Sequence, residues 1–539
     1  MANEGKLTVE PVIGLEVHVQ LAARSKMWCG CPVEFGRSPN TATCPVCLGL
    51  PGALPVLNSA AVELAVLTGL ALNCTIARRS RWERKHYFYP DQPKNYQITQ
   101  YEQPLCSNGY MELKSDHRIH KIRIDRAHLE EDAGKIHHNK SNGAAVDLNR
   151  AGAPLLEIVT CPDFNSADEV REFAVQLQRL VRYLGVSEAN MEKGQMRFEP
   201  NINLKITAGG REIRTPIVEV KNLNSFHSLH AAIVYEQDRQ LEQWRATGAE
   251  ARSGAKVSRG WDDDRRITLS QREKEEADDY RYFPDPDLGP LTTDPDWVAE
   301  LREHLPELPI PRTERCISEY KLTPHDAAAV VDCRATADLL DQAAEAGGDK
   351  IILAKQFLGF WARLARERNT TIAGLGITPR RLAELADLVR AGVVNATSAA
   401  RIAGEMAPRV DELLAARASG RSFAAPDDSG DPDAAAPLMR PAPDKCIISF
   451  EPADSPELAP AHLAEQLGLL QTSNETEIME WIELAFDENE QAVRNALGAA
   501  PKSRAARGYL IGQVMKASDG KAAPRLTAQL LEQKLKSIA

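Results

Sequence analysis

From residue 196 to residue 204 (MRFEPNINL) polar and apolar positions alternate. Arg197, Glu199, Asn201 and Asn203 fall on one side, and Met196, Phe198, Pro200, Ile202 and Leu204 on the other. A period of two predicts a β-strand with one chemical face. The same alternation sets Glu16, His18 and Gln20 against Leu15, Val17, Val19 and Leu21, and sets Glu219 and Lys221 against Val218 and Val220. An antiparallel sheet can pack one face on a core and leave the other wet. The three segments therefore predict one sheet whose open face is a floor for cations and anions. Ordinary solvated strand faces favour Thr, Lys and Ser, so clustered Glu, His, Asn and Arg point to metal and phosphate chemistry.

Helical periodicity is confined, up to about residue 295, to segments near 59–73, 166–184 and 225–247, separated by short alternating stretches with Gly and Pro punctuation. The predicted class of this part is α+β. Ser166 precedes Glu169 by the spacing of a capping box, and Val170, Phe173, Ala174, Leu177, Leu180, Val181 and Leu184 then recur at helical spacing. Residues 296–417 read as helical almost throughout, with LLDQAAEAG and LAKQFLGFWARLARE as amphipathic stretches. Residues 418–444 are rich in Pro, Ala, Asp and Gly without apolar period and read as a flexible insertion or linker. Beyond them, 445–539 reads as a small all-α module. Ile478, Trp481, Ile482, Ala485 and Phe486 share a face there, Tyr509, Leu510, Val514 and Met515 belong to a helix stopping near Gly520, and Leu526, Leu530, Leu531 and Leu535 lie inside a last helix opened by Pro524.

With 539 residues the chain is long enough for two to four domains. A formal net charge of −11 argues against a protein that coats nucleic acid non-specifically. The last stretch, 501–539, nevertheless carries eight Lys or Arg residues against Asp519 and Glu532, so any RNA contact is expected to be regional, as a solvated basic helix face or a docking site. No apolar run is long enough to cross a bilayer and the first residues lack a basic-then-apolar leader, which predicts a cytoplasmic protein. Ten cysteines diluted in such a chain are expected as thiols or metal ligands.

Four of them form a pattern. Cys29 and Cys31 are followed by Cys44 and Cys47, two chelating pairs joined by a loop able to fold back, which suits tetrahedral zinc with no open position and hence a structural role. The others, Cys74, Cys106, Cys161, Cys316, Cys333 and Cys446, are isolated and read as ordinary thiols. Residues 123–135 (RIDRAHLEEDAGK) concentrate His128, Glu130, Glu131 and Asp132, a carboxylate density that favours cations such as magnesium held with nucleotide phosphates. Residues 146–159 alternate through Asp147 and Asn149, turn at Gly152 and Pro154, and leave Glu157 inside an apolar strand, where it needs a partner. Two aromatic and basic segments, KHYFYPDQPKNYQ at 85–97 and DDYRYFPDPDL at 278–288, are suited to stacking and clamping a base or acceptor end. There is no Walker A sequence, no dinucleotide glycine fingerprint and no Gly/Ser-rich amidase segment, so any ATP is handled without a P-loop.

Together VIGLEVHVQL at 12–21, the acidic run at 127–135, DLNRAGAPLLEIV, EVKNLNSF at 219–226, DDYRYFPDPDL and LIGQVMKASDGKAAPRL at 510–526 resemble the B subunit of the aspartyl/glutamyl-tRNA amidotransferase, over essentially the whole chain apart from 418–444. The resemblance implies a cradle domain (1–295) built on a mainly antiparallel sheet, a helical domain (296–417), and a YqeY-like C-terminal module (445–539) that touches tRNA. It implies an enzyme that uses ATP and Mg2+ to phosphorylate the side-chain carboxylate of Glu or Asp misacylated onto tRNA-Gln or tRNA-Asn. Ammonia released from glutamine by a separate amidase (A) subunit then displaces the phosphate, with a small C subunit completing a heterotrimer.

Carried onto this chain, Glu16, His18, Glu131 and Glu219 correspond to magnesium ligands, with Glu130 and Glu157 as further candidates. Arg197 and Lys221 join them as catalytic residues. Arg197, Lys221 and Asn222 would hold phosphate or the acceptor end, and Lys94, Tyr96, Asn149, Arg150, Asn201, Asn224, Tyr280 and Arg281 fall among the substrate and nucleotide contacts. Many members read L-R-C-D-A-N where this chain has Met196 to Asn201, so Glu199 stands for an Asp with one methylene less reach, and some members lack the cysteine quartet. Two other readings are a zinc-stabilised tRNA-binding scaffold without chemistry, which leaves the Glu/His face unexplained, and a free-standing ATP-dependent amide ligase.

Overall fold

A computed structural model describes residues 7–115, 118–138, 143–248, 250, 256–271, 280–420, 455–498 and 502–538. They fall into two compact units, one of the described residues up to Pro309 and one of those from Ile310 onward. The first is built on a ten-stranded sheet. Its strands are β1 (Thr8–Gln20), β2 (Thr75–Ile76), β3 (Cys106–Ser115), β4 (Arg118–Glu131), β5 (Pro154–Thr160), β6 (Met196–Ala208), β7 (Arg211–Arg214), β8 (Ile217–Lys221), β9 (Lys256–Asp262) and β10 (Ile267–Ser270). The order is β10-β9-β8-β6-β1-β5-β4-β3-β2, with β7 paired to β6. All pairs are antiparallel except β8 with β9, as the mainly antiparallel expectation requires. The three alternating segments thus sit side by side at the centre as β1, β6 and β8.

Alternation sends Leu15, Val17 and Val19 of β1 and Phe198, Ile202 and Leu204 of β6 to one face, where all are buried. Two of the three helices of this unit that the periodicity predicts cover that face. These three helices are α1 (Ser59–Ala71), α2 (Ala167–Tyr183) and α3 (Phe226–Thr247). Phe198 packs at 5.7 Å from the ring of Phe226 in α3, and Phe164 meets Phe173 of α2 edge-on at 5.2 Å. α2 starts as the capping box predicts, for Ser166 Oγ accepts from the Glu169 amide at 3.2 Å. Glu169 reaches back one residue further than usual and accepts from the amide of Asn165 at 2.8 Å. α3 is capped by Ser225, whose Oγ accepts from the Ser228 amide at 3.0 Å, and ends at Gly248 in the left-handed region at φ 64°. With the helices on one side, the polar side of β1, β6 and β8 stays open.

The second unit is helical and holds the segment expected as a C-terminal module together with most of that expected as a middle domain, of which residues 296–309 belong to the first unit. Of the expected linker 418–444, residues 418–420 finish a long helix, Ala396–Gly420, and the remainder lies outside the described residues. Ile478, Ile482, Ala485 and Phe486 pack with Leu510, Val514, Leu530, Leu531 and Leu535 in one cluster. Tyr509 departs from the expected pattern, since it is half exposed and its hydroxyl bonds Asn489 Oδ1 at 3.1 Å. No described helix is long and apolar enough to cross a membrane.

One polar knot holds the helical unit. Arg312 Nη2 and Arg315 Nη2 each lie 2.6 Å from Asp341 Oδ2, and Tyr320 donates to Asp341 Oδ1 at 2.7 Å. Burial resists the Asp341 charge, but the hydrogen bonds from Arg315 and Tyr320 and the nearby guanidinium charges hold its pKa below the ordinary carboxylate value. A depressed carboxylate contributes stability above its unfolded pKa and loses it as pH falls through the folded value. Asp341→Asn is accordingly expected to cost about 2–3 kcal/mol at pH 7, because it leaves the nearly buried Arg312 short of a carboxylate. Urea midpoints of wild type and variant should converge as the solution is acidified below the ordinary carboxylate range, and a gap that persists there would count against the charge as the cause.

Candidate functional site

Strand register lines the polar residues into rows across the open face. In one row His128 of β4 stands opposite Glu157 of β5, which stands opposite His18 of β1, which stands opposite Arg197 of β6. In the next, Glu16 stands opposite Glu199. In a third, Asn201 stands opposite Glu219, and Glu219 opposite Ser258. Above these rows is a cavity of about 590 Å3, lined also by Lys85, Tyr280 and Lys221. That volume is within the range of small-molecule and cofactor sites.

Two sets of metal-type donors lie at it, each with ligand atoms within 4.8 Å of one another: His18 with Glu130 and Glu157, and Glu16 with Glu199 and Glu219, of which Glu219 is fully buried and outside the cavity lining. The all-carboxylate set suits a hard cation, and the set with an imidazole tolerates a softer one. Cations of the chain balance both. Lys221 Nζ donates to Glu199 at 2.8 Å and lies 3.6 Å from Glu219, while Lys256 Nζ lies 3.2 Å and Asn201 Nδ2 2.8 Å from the same oxygen of Glu16. His18 Nε2 lies 3.4 Å from Glu157, and His128 Nε2 3.2 Å from Glu130 and 3.7 Å from Glu157.

Burial alone would strip His18 of its proton, but the hydrogen bond and charge of Glu157 outweigh that and raise its pKa to about 9. A cation bound at Nε2 would replace that proton. Burial resists the charge on Glu157 too, yet the charge of His128 and the bond from His18 hold its pKa below the usual carboxylate range. Several buried atoms here accept or donate no hydrogen bond within the protein: His18 Nδ1, His128 Nδ1, Asn201 Oδ1, Asp132 Oδ2 and Arg197 Nε. Buried polar atoms are almost always satisfied, so this concentration fits a site made for polar ligands.

The residues expected here are not all in the cavity. Glu16, His18, Arg197, Lys221 and Tyr280 line it, Asn201 is bonded to Glu16, and Glu219, outside the lining, shares a donor set with Glu16 and Glu199. Glu131 does not share that cavity, which corrects the expectation of a common site. It is adjacent to Glu130 on β4, and one step along a strand reverses the face. Its carboxylate turns to the other side, pairing with Lys94 and accepting from the Ile98 amide at 2.9 Å. Lys94 and Tyr96 go with it, into a separate cavity of about 220 Å3, where Arg84 lies 4.3 Å over the Tyr96 ring.

Asn149 holds the cysteine loop, accepting from the Ala42 amide at 2.8 Å and donating to the Ser38 carbonyl at 2.7 Å. Arg150 bonds the carbonyls of Ala133 at 3.0 Å and Gly134 at 2.9 Å. Asn222 and Asn224 are exposed on the loop from β8 to α3 and lie outside the cavity lining, as does Arg281, whose guanidinium is 5.8 Å from the Phe88 ring. The face assignment has a direct check. Glu130→Gln is expected to weaken Mn2+ binding by at least the roughly 10–100-fold that losing an outer partner costs a metal site, whereas Glu131→Gln changes it less than about twofold. Equal losses in a Mn2+ titration would reverse the assignment.

Lys85 was missed although it lies in one of the two aromatic and basic segments. In the strand Glu83–His86 its side chain reaches the cavity, with Nζ 5.0 Å from the Tyr280 ring centre. Burial opposes its charge, but Glu130, Tyr282 and Glu157 raise its pKa. Ser258, which lines the cavity, and Lys256, which pairs with Glu16, were missed as well. The acidic run contained Asp132, but only the turn after β4 shows that it returns to the cavity side.

The cysteine loop follows β1. Cys29, Cys31, Cys44 and Cys47 bring their sulfurs within 4.8 Å of one another. Cys44 and Cys47 are 3.9 Å apart at sulfur, close to the edge of about 3.8 Å for a tetrahedron with zinc–sulfur bonds of about 2.3 Å. Lys26, fully buried, places Nζ 3.5 Å from Cys47 Sγ, where its charge offsets thiolate charge. The donor set therefore fits zinc.

Residues 11–299 match the GatB/GatE catalytic domain and residues 449–535 the GatB domain. The chain is 40% identical over 526 residues to the B subunit of the aspartyl/glutamyl-tRNA(Asn/Gln) amidotransferase of Thermoanaerobacter sp. (strain X514), covering 98% of this chain and 99% of that one. It is 40% identical over 533 residues to the corresponding protein of Thermomicrobium roseum, covering 98% of each, and 45% identical over 396 residues to that of Rhodopirellula baltica, covering 72% and 80%. Similarity of that extent, with the catalytic-domain match taking in all of the polar sheet but the first three residues of β1, makes the chain a member of the family of aspartyl/glutamyl-tRNA(Asn/Gln) amidotransferase B subunits.

Proposed function

We propose that this chain activates the side-chain carboxylate of Glu carried by tRNA-Gln, of Asp carried by tRNA-Asn, or of both, by ATP-dependent phosphorylation, and then forms the amide with ammonia from a partner glutaminase subunit. The observation that carries this reading is the pairing of two metal-type donor sets with Lys221, Lys85 and Arg197 at one cavity. A carboxylate resists ammonia because oxide is a poor leaving group. In the first step a carboxylate oxygen attacks the γ-phosphorus and the bond to ADP breaks. In the second, ammonia nitrogen attacks the carbonyl carbon, the carbon–oxygen bond to phosphate breaks, and the nitrogen sheds a proton.

Bound Mg2+ would supply charge neutralisation for the transferring phosphoryl group. The two carboxylate-bearing sets would hold it, with Glu130 in place of Glu131 in the ligand set. Lys221 and Arg197 offset the remaining phosphate charge. Asn201 orients Glu16. Phe88, largely exposed beside Arg281, and Tyr280 at the cavity wall support stacking of the tRNA acceptor end. The cysteine quartet would hold one structural zinc. The partners of this reading are an amidase subunit, a small third subunit and misacylated tRNA.

The test is reconstitution with the amidase and small subunits. ATP hydrolysis that requires Glu-tRNA(Gln) or Asp-tRNA(Asn), with amide formed from glutamine, is the expected result. A complex that binds these tRNAs yet consumes no ATP would leave only a scaffold.

A further inference from the structure

The turn between the strand Ala144–Asp147 and β5 is fastened on both sides. On one side it meets the cysteine loop. The Asn40 amide donates to Asp147 Oδ1 at 3.1 Å, Asn40 Oδ1 accepts from the Leu148 amide at 2.8 Å, and Asn149 closes the Ala42 and Ser38 bonds already described. Lys26 Nζ bridges Cys47 Sγ at 3.5 Å and the Leu148 carbonyl at 3.3 Å, and the Met27 amide donates to the Gly152 carbonyl at 2.8 Å. On its other side the turn grips the end of β4. Gly152 donates to the Asp132 carbonyl at 2.8 Å, and the Asp132 amide to the Ala153 carbonyl at 2.8 Å. Gly152 sits at φ 88°, in the left-handed region that favours glycine, so the chain can turn sharply and wedge between the two sides.

The wedge delivers Arg150 to Asp132. Arg150 Nε lies 3.4 Å from Asp132 Oδ2 while its guanidinium is held by two carbonyls. Asp132, buried, turns its other oxygen to Arg197 Nη2 at 3.1 Å. Of the carboxylates that keep Arg197 charged against burial, Asp132 is the foremost. A buried carboxylate shared by two arginines resists rotation of either, because any departure leaves charge unpaired.

We propose that Asp132 and Arg150 are positioning residues, through which the cysteine loop and the 147–153 turn hold Arg197 at the orientation needed to receive an anionic group in the cavity. The inference rests on the reading of Arg197 as a phosphate contact. It makes Arg150 a support for the site rather than a contact with substrate, and it gives the cysteine loop an effect on the cavity without touching it. Asp132→Asn frees Arg197 to swing, so it weakens ground-state anion binding more than the chemical step.

The test uses the reconstituted complex, with binding of ATP in the presence of Mg2+ measured by equilibrium dialysis for Arg197→Gln, Asp132→Asn, the double variant and Asn149→Ala. Arg197→Gln is expected to weaken ATP about tenfold or more, and Asp132→Asn about tenfold, as a raised KM with kcat within about twofold. The double variant should be no weaker than Arg197→Gln alone within about twofold, since both act through one group. Asn149→Ala, remote from the cavity and exposed to no ligand there, should weaken ATP about threefold with the metal content of the cysteine cluster unchanged. Independent, multiplying losses in the double variant overturn the proposal, as does normal ATP binding in Asp132→Asn when Arg197→Gln is impaired. Normal binding in Arg197→Gln removes the phosphate reading of Arg197 and this inference with it. Should Asp132→Asn not fold, Asn149→Ala decides alone, and unaltered ATP binding in it is the overturning result.

Discussion

Glu219→Gln is expected to lower tRNA-dependent ATP hydrolysis by about 10²–10³-fold while the chain folds and still binds tRNA. Glu219 has no exposed surface, accepts from Ser258 Oγ at 3.2 Å and lies 3.6 Å from Lys221 Nζ. An amide of the same shape keeps the Ser258 bond but removes the charge, leaving Lys221 with its bond to Glu199 and without the Glu219 charge, and the Glu16 set short of one anionic ligand. Two effects then add. The cation is held less tightly, and the lysine is pulled toward Glu199, away from any phosphate. The first should yield to excess Mg2+ and the second should not, so saturating metal is expected to restore only part of the rate. Glu16→Gln should behave alike but more mildly, since Lys256 and Asn201 both hold Glu16 and half its pairing survives. Near-normal hydrolysis in both variants, at metal concentrations where wild type is half-saturated, would remove the carboxylate set from the chemistry.

What the chain discloses in advance follows from which forces act locally. The strand period made the polar face legible at Glu16, His18, Arg197, Glu199 and Glu219, because side-chain direction on a strand depends only on the residue number. The capping box at Ser166 and the chelating pairs at Cys29–Cys31 and Cys44–Cys47 were legible for the same reason, as each is decided within a few residues. Glu131 shows the limit. The acidic run offered Glu130 and Glu131 together, and the identity of the inward one depends on where β4 pairs with β5, set by contacts thirty residues away along the chain. Glu157 opposite His128 fixes Glu130 on the cavity side and Glu131 behind it.

Lys94, Tyr96 and Arg150 lie outside that cavity's lining for a related reason. Their chemistry matched the site, but the turns that carry them lead to the far side of the sheet or to the back of Asp132, and no local pattern encodes that path. Glu199 reaches the same cluster as Glu16 and Glu219 and accepts from Lys221.

The second large effect belongs to the cysteine cluster. Cys47→Ser is expected to abolish zinc retention, from about one per chain to near none, and to destabilise the sheet unit by on the order of 3 kcal/mol. The magnitude comes from comparing the clip with a disulfide that closes a loop of similar length, which stabilises by about 3 kcal/mol. Serine keeps the volume but offers a neutral oxygen in place of a thiolate, and a four-thiolate site rarely tolerates that exchange. Among the four, Cys47 is the most consequential. It is the buried one and the one nearest the Lys26 ammonium, and its pKa falls to about 4, first through the hydrogen bond from Cys29 and further through Lys26. Without its thiolate, Lys26 keeps a buried charge with only the Leu148 carbonyl to answer it. The loop from Cys29 to Cys47 should then open to protease, and the 147–153 turn should lose its outer support. Cys161→Ser, at an isolated thiol, is the control and should leave zinc and thermal midpoint unchanged. Wild-type protein purified without zinc, and no more protease-sensitive after chelation, would show that four clustered thiols hold the loop by packing alone.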